Sequence, residues 1–194
     1  FFDKIFSEEI LFFTGVPDSL LKSFCAYITE HVDESHHVIA ANEGGAVALA
    51  TGYHMATGKY GLVYMQNSGL GNATNPLLSL ADPEVYSIPM LLMIGWRGEP
   101  GRHDEPQHVK QGRVTLALLD AMEIPYVVLD GSIKDWQDLV SSLCNQMRDC
   151  EKPVAIVVRS DTFEEYELSA VNSDDALLAR EEAITILVET IGDD

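Results

Sequence analysis

Ile88-Pro89-Met90-Leu91-Leu92-Met93-Ile94 is nearly continuous in apolar residues. A strand facing water on one side alternates apolar and polar residues, whereas this one does not. The pattern fits a central strand of a parallel sheet, covered on both faces. Outward from it the same unit recurs. Ile10 to Thr14 is a short apolar run ending at Gly15, and His37 to Ala41, Tyr60 to Gln66, Tyr126 to Leu129 and Val154 to Val158 supply four more strands. Helices separate them. Pro17-Asp18-Ser19 opens one whose Leu20, Leu21, Phe24, Ile28 and Val32 fall on a single face. Asn42 caps a second, which runs to about Thr57 and stops at Gly58. Asn67-Ser68-Gly69-Leu70-Gly71-Asn72 is a glycine-rich turn opening a third, through Leu78. Two more span about Lys110 to Met122 and Trp136 to Cys150. The alternation predicts an α/β fold: a three-layer α/β/α domain over residues 1–160 with a mainly parallel, six-stranded sheet.

Residues 161–194 differ in character. They hold eleven of the 31 acidic residues and one basic residue, Arg180. Residues 180–191 look helical, and the stretch reads as an acidic linker or arm leading away from the domain.

Composition limits the function classes. With 194 residues, 46% hydrophobic and 22% charged, the chain can bury a full core. A net charge of -19 argues against nonspecific binding to nucleic acid or to an anionic membrane surface. No apolar run reaches the roughly 18 residues that span a bilayer. The start, Phe1-Phe2-Asp3-Lys4, has no basic region of a secretory signal and no initiator Met, so the chain is processed, trimmed or incomplete. Cys25, Cys144 and Cys150 make an odd count without metal spacing, as expected of reduced thiols in a soluble, cytoplasmic protein.

Three groups carry possible chemistry. Glu43 sits on the first turn of its helix, where the helix dipole favours a carboxylate whatever its role. Gly44 and Gly45 follow it, poor helix formers that let something approach the backbone closely. In such apolar surroundings a carboxylate is suited to sharing a proton with a ligand nitrogen. Asn67 to Asn72 is a loose phosphate-loop shape, but neither a Walker loop nor a dinucleotide fingerprint. Arg97, Arg102, Lys110 and Arg113 concentrate a third of the twelve Lys and Arg residues, with His103 and His108 among them. They form either a site for a small anion or a solvated segment paired with its own Asp104 and Glu105. The two histidines lack the spacing of a zinc-binding helix, so no metal site is expected there.

Gly15-Val16-Pro17-Asp18-Ser19, Asn42-Glu43-Gly44, Gln66 to Asn72, and Gly95 to Gly101 with Asp104-Glu105-Pro106-Gln107-His108 resemble, in order, the phosphonopyruvate decarboxylase family and the related sulfopyruvate decarboxylases. These are thiamine-diphosphate enzymes, and the resemblance covers about residues 10–160. It implies a pyrimidine-binding domain in which Glu43 contacts the cofactor aminopyrimidine. Asn67, Gly69, Leu70 and Asn72 line the cofactor in this reading. Asp18, His103 and His108 are candidates for substrate contact or proton transfer. Arg97, Arg102 and Lys110 would meet the phosphonate or sulfonate of a small anionic 2-oxo acid. Family members hold Mg²⁺ and diphosphate on a second domain, through an Asp-Gly-Ser start and a downstream Asn. That block is read as absent, and the terminal Gly192-Asp193-Asp194 does not supply it. The resemblance therefore implies a partner, the diphosphate-binding domain of the same or another subunit, and a homo-oligomer joined at the 42–57 helix and the 67–78 segment. A non-catalytic interaction subunit is the alternative of a different class, which the Glu-Gly-Gly sequence disfavours.

Overall fold

The strands and capped helices build one sheet with a helical layer on each face, as seen in a computed structural model that describes residues 1–169 and 180–191. The elements are α1 (Phe2–Ser7), β1 (Ile10–Gly15), α2 (Lys22–His31), β2 (His37–Ile39), α3 (Glu43–Thr57), β3 (Tyr60–Gln66), α4 (Leu70–Pro76), β4 (Met90–Gly95), α5 (Pro106–Ala121), β5 (Tyr126–Leu129), α6 (Trp136–Cys150), β6 (Val154–Val158) and α7 (Arg180–Ile191). The sheet order is β2-β1-β3-β4-β6-β5, and every pairing is parallel. β4 is central and buried at all its positions, as its unbroken apolar run requires. Met90, Leu92 and Ile94 join Ala46, Val47 and Ala50 in the core beneath α3, α4 and α5. Leu91 and Met93 face the other way, into the core beneath α1, α2 and α6.

The order reverses between β1 and β3. β2 lies outside β1, and α3 returns the chain across β1 to β3. In an open parallel sheet such a reversal leaves a crevice at the carboxyl ends of the strands. Glu43 begins the returning helix there.

Several element limits differ from the sequence reading, each for a local reason. α1 was not anticipated. Asp18 caps a short 3-10 turn, Ser19–Leu21, before α2 proper, its side chain accepting from Leu20 N. α5 starts at Pro106, not Lys110, because proline fits the first helical position, where its missing N–H is no loss. Residues 161–169 do not lead away from the domain. Thr162 Oγ1 donates to Arg159 O, Phe163 packs on Phe1 and Phe24, and Tyr166 donates its N–H to Ser23 Oγ and its hydroxyl to Glu30. The expected helix at 180–191 is present as α7. Residues 170–179 and 192–194 of the expected arm lie outside the described residues.

α3 is covered on one side only. Ala46, Val47, Ala50 and Thr51 are buried, whereas Leu49 is 39% and Met55 67% exposed. Burial pushes the Cys25 and Cys144 thiols up to about 12, so both stay protonated and inert. Among the described residues no helix is long and apolar enough to cross a membrane.

Candidate functional site

Asn42 fixes the start of α3 by accepting from Gly45 N through Oδ1 at 2.8 Å. Glu43 follows as the first helical residue, 9% exposed. Its Oε2 accepts from Asn72 Nδ2 at 2.8 Å, and Oε1 takes no hydrogen bond from the described residues. Two glycines make this placement possible. A Cβ on Gly69 would lie 2.5 Å from Glu43 Cγ and Oε1, and one on Gly44 would lie 2.9 Å from the Asn72 carbonyl oxygen. Backbone at Gly69 thus closes on the carboxylate, where a side chain would push it away, and Gly44 lets α3 and α4 come together.

The β3–α4 turn joins this corner to the rest of the edge. Asn67 is buried; Nδ2 donates to Arg97 O at 2.9 Å and to Thr115 Oγ1 at 2.8 Å, while Oδ1 accepts from Arg97 N at 3.2 Å. Both amide hydrogens and the oxygen are spent, so the side chain expected to meet a cofactor is a brace between β3, the segment after β4, and α5. The Leu70 side chain lies in the core. Asn72, exposed, is the one that reaches Glu43.

Asp18 arrives from the end of β1. Its carboxylate fits over Gly95, where a Cβ would fall 2.1 Å from Oδ2. Oδ2 accepts from Leu20 N at 3.1 Å, and the buried Oδ1 has no hydrogen-bond partner among the described residues. Burial pushes this carboxyl above the usual range, against the pull of the Leu20 N–H and the Arg97 charge.

The cations divide. Arg97 grips Asp104 through Nε at 2.9 Å and Nη2 at 2.5 Å, and Nη1 donates to Ser19 Oγ. Asp104 also accepts from Gly98 N at 2.7 Å, and the guanidinium holds its carboxyl well below the usual range. The pairing alternative is therefore the one realised for Arg97: its bidentate face is taken. Arg102 pairs with Glu99 at 3.3 Å and Asp161 at 3.6 Å. Lys110 and His103 are exposed and without an ion-pair partner among the described residues. His108 is half-buried, with Nδ1 3.5 Å from Gln66 Nε2.

Sequence reasoning missed Gln66 as a contact, and also Glu99, Arg159 and Asp130. Glu99, 7% exposed, takes Arg159 Nη2 at 2.8 Å, and Arg159 reaches Asp130 at 3.3 Å. Gln66, Asp130 and Arg159 each end or directly follow an apolar strand, and that position was a readable signal for the carboxyl edge. Against the reading that none is present, an Asp-Gly-Ser triplet does stand at 130–132. Asp130 Oδ1 accepts from Ser132 N at 2.8 Å and from its hydroxyl at 2.5 Å, and Oδ2 takes Arg159. The carboxylate is thus closed on its own turn. Asn145 downstream of it receives Arg148 on α6. Among the described residues no cluster of three or more His, Cys, Asp or Glu gathers for a metal.

A cavity of about 480 Å³ lies on the other face of the sheet from α3, among Phe1, Phe24, Tyr27, Trp136, Phe163 and Tyr166. Asp130 lines it, and none of the candidate residues read from the sequence does.

Known proteins are similar to this chain. Residues 2–124 match the family model described as thiamine pyrophosphate enzyme, N-terminal TPP binding domain. Phosphonopyruvate decarboxylase of Streptomyces viridochromogenes is 39% identical over 111 residues, covering 54% of this chain and 27% of that protein. Sulfopyruvate decarboxylase subunit alpha of Methanococcus maripaludis is 35% identical over 125 residues, covering 64% of this chain and 72% of the subunit. The chain thus spans about a quarter of the length of the first relative and most of the second. The solved thiamine diphosphate-dependent 4-hydroxybenzoylformate decarboxylase of Rhodococcus jostii RHA1 superposes with a TM-score of 0.59 over 98% of this chain and 36% of its own. At 19% identity it speaks for the fold alone.

Proposed function

The chain belongs to the thiamine pyrophosphate enzyme family, in its N-terminal TPP-binding domain, and from that premise we propose that it forms the pyrimidine-binding half of a decarboxylase for a small, doubly anionic 2-oxo acid. The observation that carries the reading is the Glu43 carboxylate. It is buried at a helix N-terminus, lies against Gly69 where a side chain would clash, and has one oxygen free of hydrogen bonds from the described residues. A purely structural first-turn carboxylate gains nothing from a glycine two elements away. Glu43 would there bind the ring nitrogen of an aminopyrimidine and hold a proton on it. Thiamine diphosphate, when bound, supplies the electron sink that a 2-oxo acid losing carbon dioxide lacks.

Asp18, His103 and His108 stand as the groups to contact substrate or move its protons. Lys110 is an exposed cation to meet the second anionic group, whereas Arg97 and Arg102 would first have to release Asp104 and Glu99. Phosphonopyruvate, giving phosphonoacetaldehyde and carbon dioxide, is the first substrate we assign. Sulfopyruvate is the second, favoured by the 72% coverage of a sulfopyruvate decarboxylase subunit. The diphosphate and Mg²⁺ would be held by a separate domain, of the same or another subunit. Three free cysteines fit a cytoplasmic setting.

The test joins this chain to its diphosphate-binding partner and follows carbon dioxide release from each substrate. Alone, the chain should turn over neither. In the joined enzyme Glu43→Gln should lower turnover by about 10²-fold or more. Near-normal turnover of that variant at saturating cofactor would defeat the assignment.

A further inference from the structure

The turn that ends β3 reaches two candidate groups at once. Its far end, Gly69 and Asn72, holds Glu43. Its near end is Gln66, whose amide nitrogen donates to Ser68 Oγ at 2.7 Å and faces His108 Nδ1 at 3.5 Å. A glutamine Nε2 carries two hydrogens in one plane, enough for both acceptors. The second distance is long, of the kind that tightens when a site closes on its ligand.

The backbone of His108 has little freedom. Its N–H donates to Glu105 O at 2.9 Å in the first turn of α5. Its carbonyl lies against Gly98, where a Cβ would come within 1.9 Å. Gly98 in turn abuts Gly112, so the helix is seated on the segment after β4 by backbone contact. What remains free is the ring. A ring nitrogen that faces an N–H donor must offer its lone pair, and a neutral imidazole then carries its proton on the other nitrogen.

We propose that Gln66, braced by Ser68, is a positioning residue that holds His108 as the Nε2–H tautomer, so that the ring presents a proton from Nε2 to the 2-oxo acid. The last clause rests on the proposed function; the tautomer itself does not.

The experiment is a long-range ¹H–¹⁵N correlation of the imidazole rings in the 194-residue chain, at a pH where His108 is neutral. Six histidines contribute, and a His108→Gln variant identifies the one of interest. The wild type should show Nδ1 unprotonated. Gln66→Glu, which sets acceptor oxygens against Nδ1, should move the proton to Nδ1. Ser68→Ala, a milder change that spares the amide, should give a mixture of the two forms. The signals of the other five histidines report that each variant is folded. Protonated Nδ1 in the wild type overturns the proposal, as does a tautomer indifferent to both substitutions. In the joined enzyme Gln66→Ala should lower kcat by about 10-fold or more with KM little changed. Unaltered kcat alongside a shifted tautomer also overturns it. Failure of the tautomer result leaves the Glu43 test standing, so the two readings fail separately.

Discussion

Gly69→Ala should separate stability from function. The residue has φ -68° and ψ -16°, an ordinary helical conformation, so alanine brings no backbone strain. In a helix-like turn it brings a propensity gain of about 1 kcal/mol instead. Against this, the new methyl would lie 2.5 Å from Glu43 Cγ and Oε1 and 2.6 Å from Cδ. Carbon atoms rest at about 3.5–4.0 Å, so roughly 1 Å must open. The obstacle is the end of a flexible side chain, and Glu43 will swing while the backbone stays. That motion gives up the bond from Asn72, worth about 1 kcal/mol where one partner is exposed, and costs up to about 1 kcal/mol of rotamer strain. The net change in unfolding free energy should then lie within about 1 kcal/mol. Gly71→Ala, two residues on with nothing within 4 Å, keeps the propensity gain alone and should be the more stable variant by about 1–2 kcal/mol. Urea unfolding of the 194-residue chain reads the difference. On the proposed function, Gly69→Ala in the joined enzyme should lose about 10²-fold in turnover, because the displaced carboxylate would no longer face the pyrimidine. Equal stability of the two variants, together with full turnover of Gly69→Ala, would refute the close contact of Gly69 with Glu43.

Asp18 and Asp104 should respond to pH with opposite signs. Burial raises the folded-state value of Asp18, so its contribution to stability is present below the unfolded value of about 3.9 and is lost as pH rises through the folded one; Asp18→Asn should therefore gain on the wild type from acid to neutral pH. Arg97 lowers Asp104, whose contribution is present above about 3.9 and is lost as pH falls through the folded value. Asp104→Asn should cost most at neutral pH, and parallel pH profiles for the two variants in urea unfolding would contradict both assignments. The exposed Leu49 and Met55 on α3, with Leu78, Val85 and Tyr86 also exposed beyond α4, should drive self-association of the chain. Sedimentation at tens of micromolar in about 0.15 M salt should find a dimer or larger, weakened by Leu49→Lys with Met55→Lys; a clean monomer would count against that face.

The sheet was readable because burial on both faces leaves a mark in composition. β4 and β6 are apolar at nearly every residue, and no other common element of that length asks for this. The close packing at the start of α3 was readable for a related reason: two glycines after a capping asparagine weaken a helix start, so their presence calls for a reason beyond the helix, and Gly44 meets the Asn72 carbonyl there. The partners of the charged residues were not readable. Arg97 and Asp104 are seven residues apart in a segment without periodicity, and whether a guanidinium there faces solvent or a carboxylate depends on turns that no spacing rule fixes. Arg159 and Glu99 are separated by four whole elements and meet only because β4 and β6 are neighbours. The same adjacency explains the misjudged arm. Nothing in an acidic composition says that Phe163 and Tyr166 will settle on α2, but β6 delivers the chain to that face, and two aromatic residues within the next eight find an apolar surface there.

The consequence for the site is electrostatic. A cluster of cations inside a chain of charge -19 invites the reading of an anion receptor. Arg97 and Arg102 prove to be compensated by carboxylates on their own segment, with Asp161 adding to Arg102. An incoming dianion must then either displace Asp104 or Glu99, each anchored by further bonds, or settle on cations that have no such partner. Displacement would break a bidentate pair and leave a carboxylate poorly solvated, a cost of several kcal/mol. Settling on Lys110, with the neutral imidazole of His108 donating from Nε2, breaks no ion pair among the described residues. Both lie on the first turns of α5, four residues or fewer from Pro106, where the helix N-terminus adds a favourable field for negative charge. On the proposed function, a doubly anionic 2-oxo acid would then meet the start of α5 before it meets the arginines, and Lys110→Ala should raise KM for such a substrate more than Arg102→Ala does.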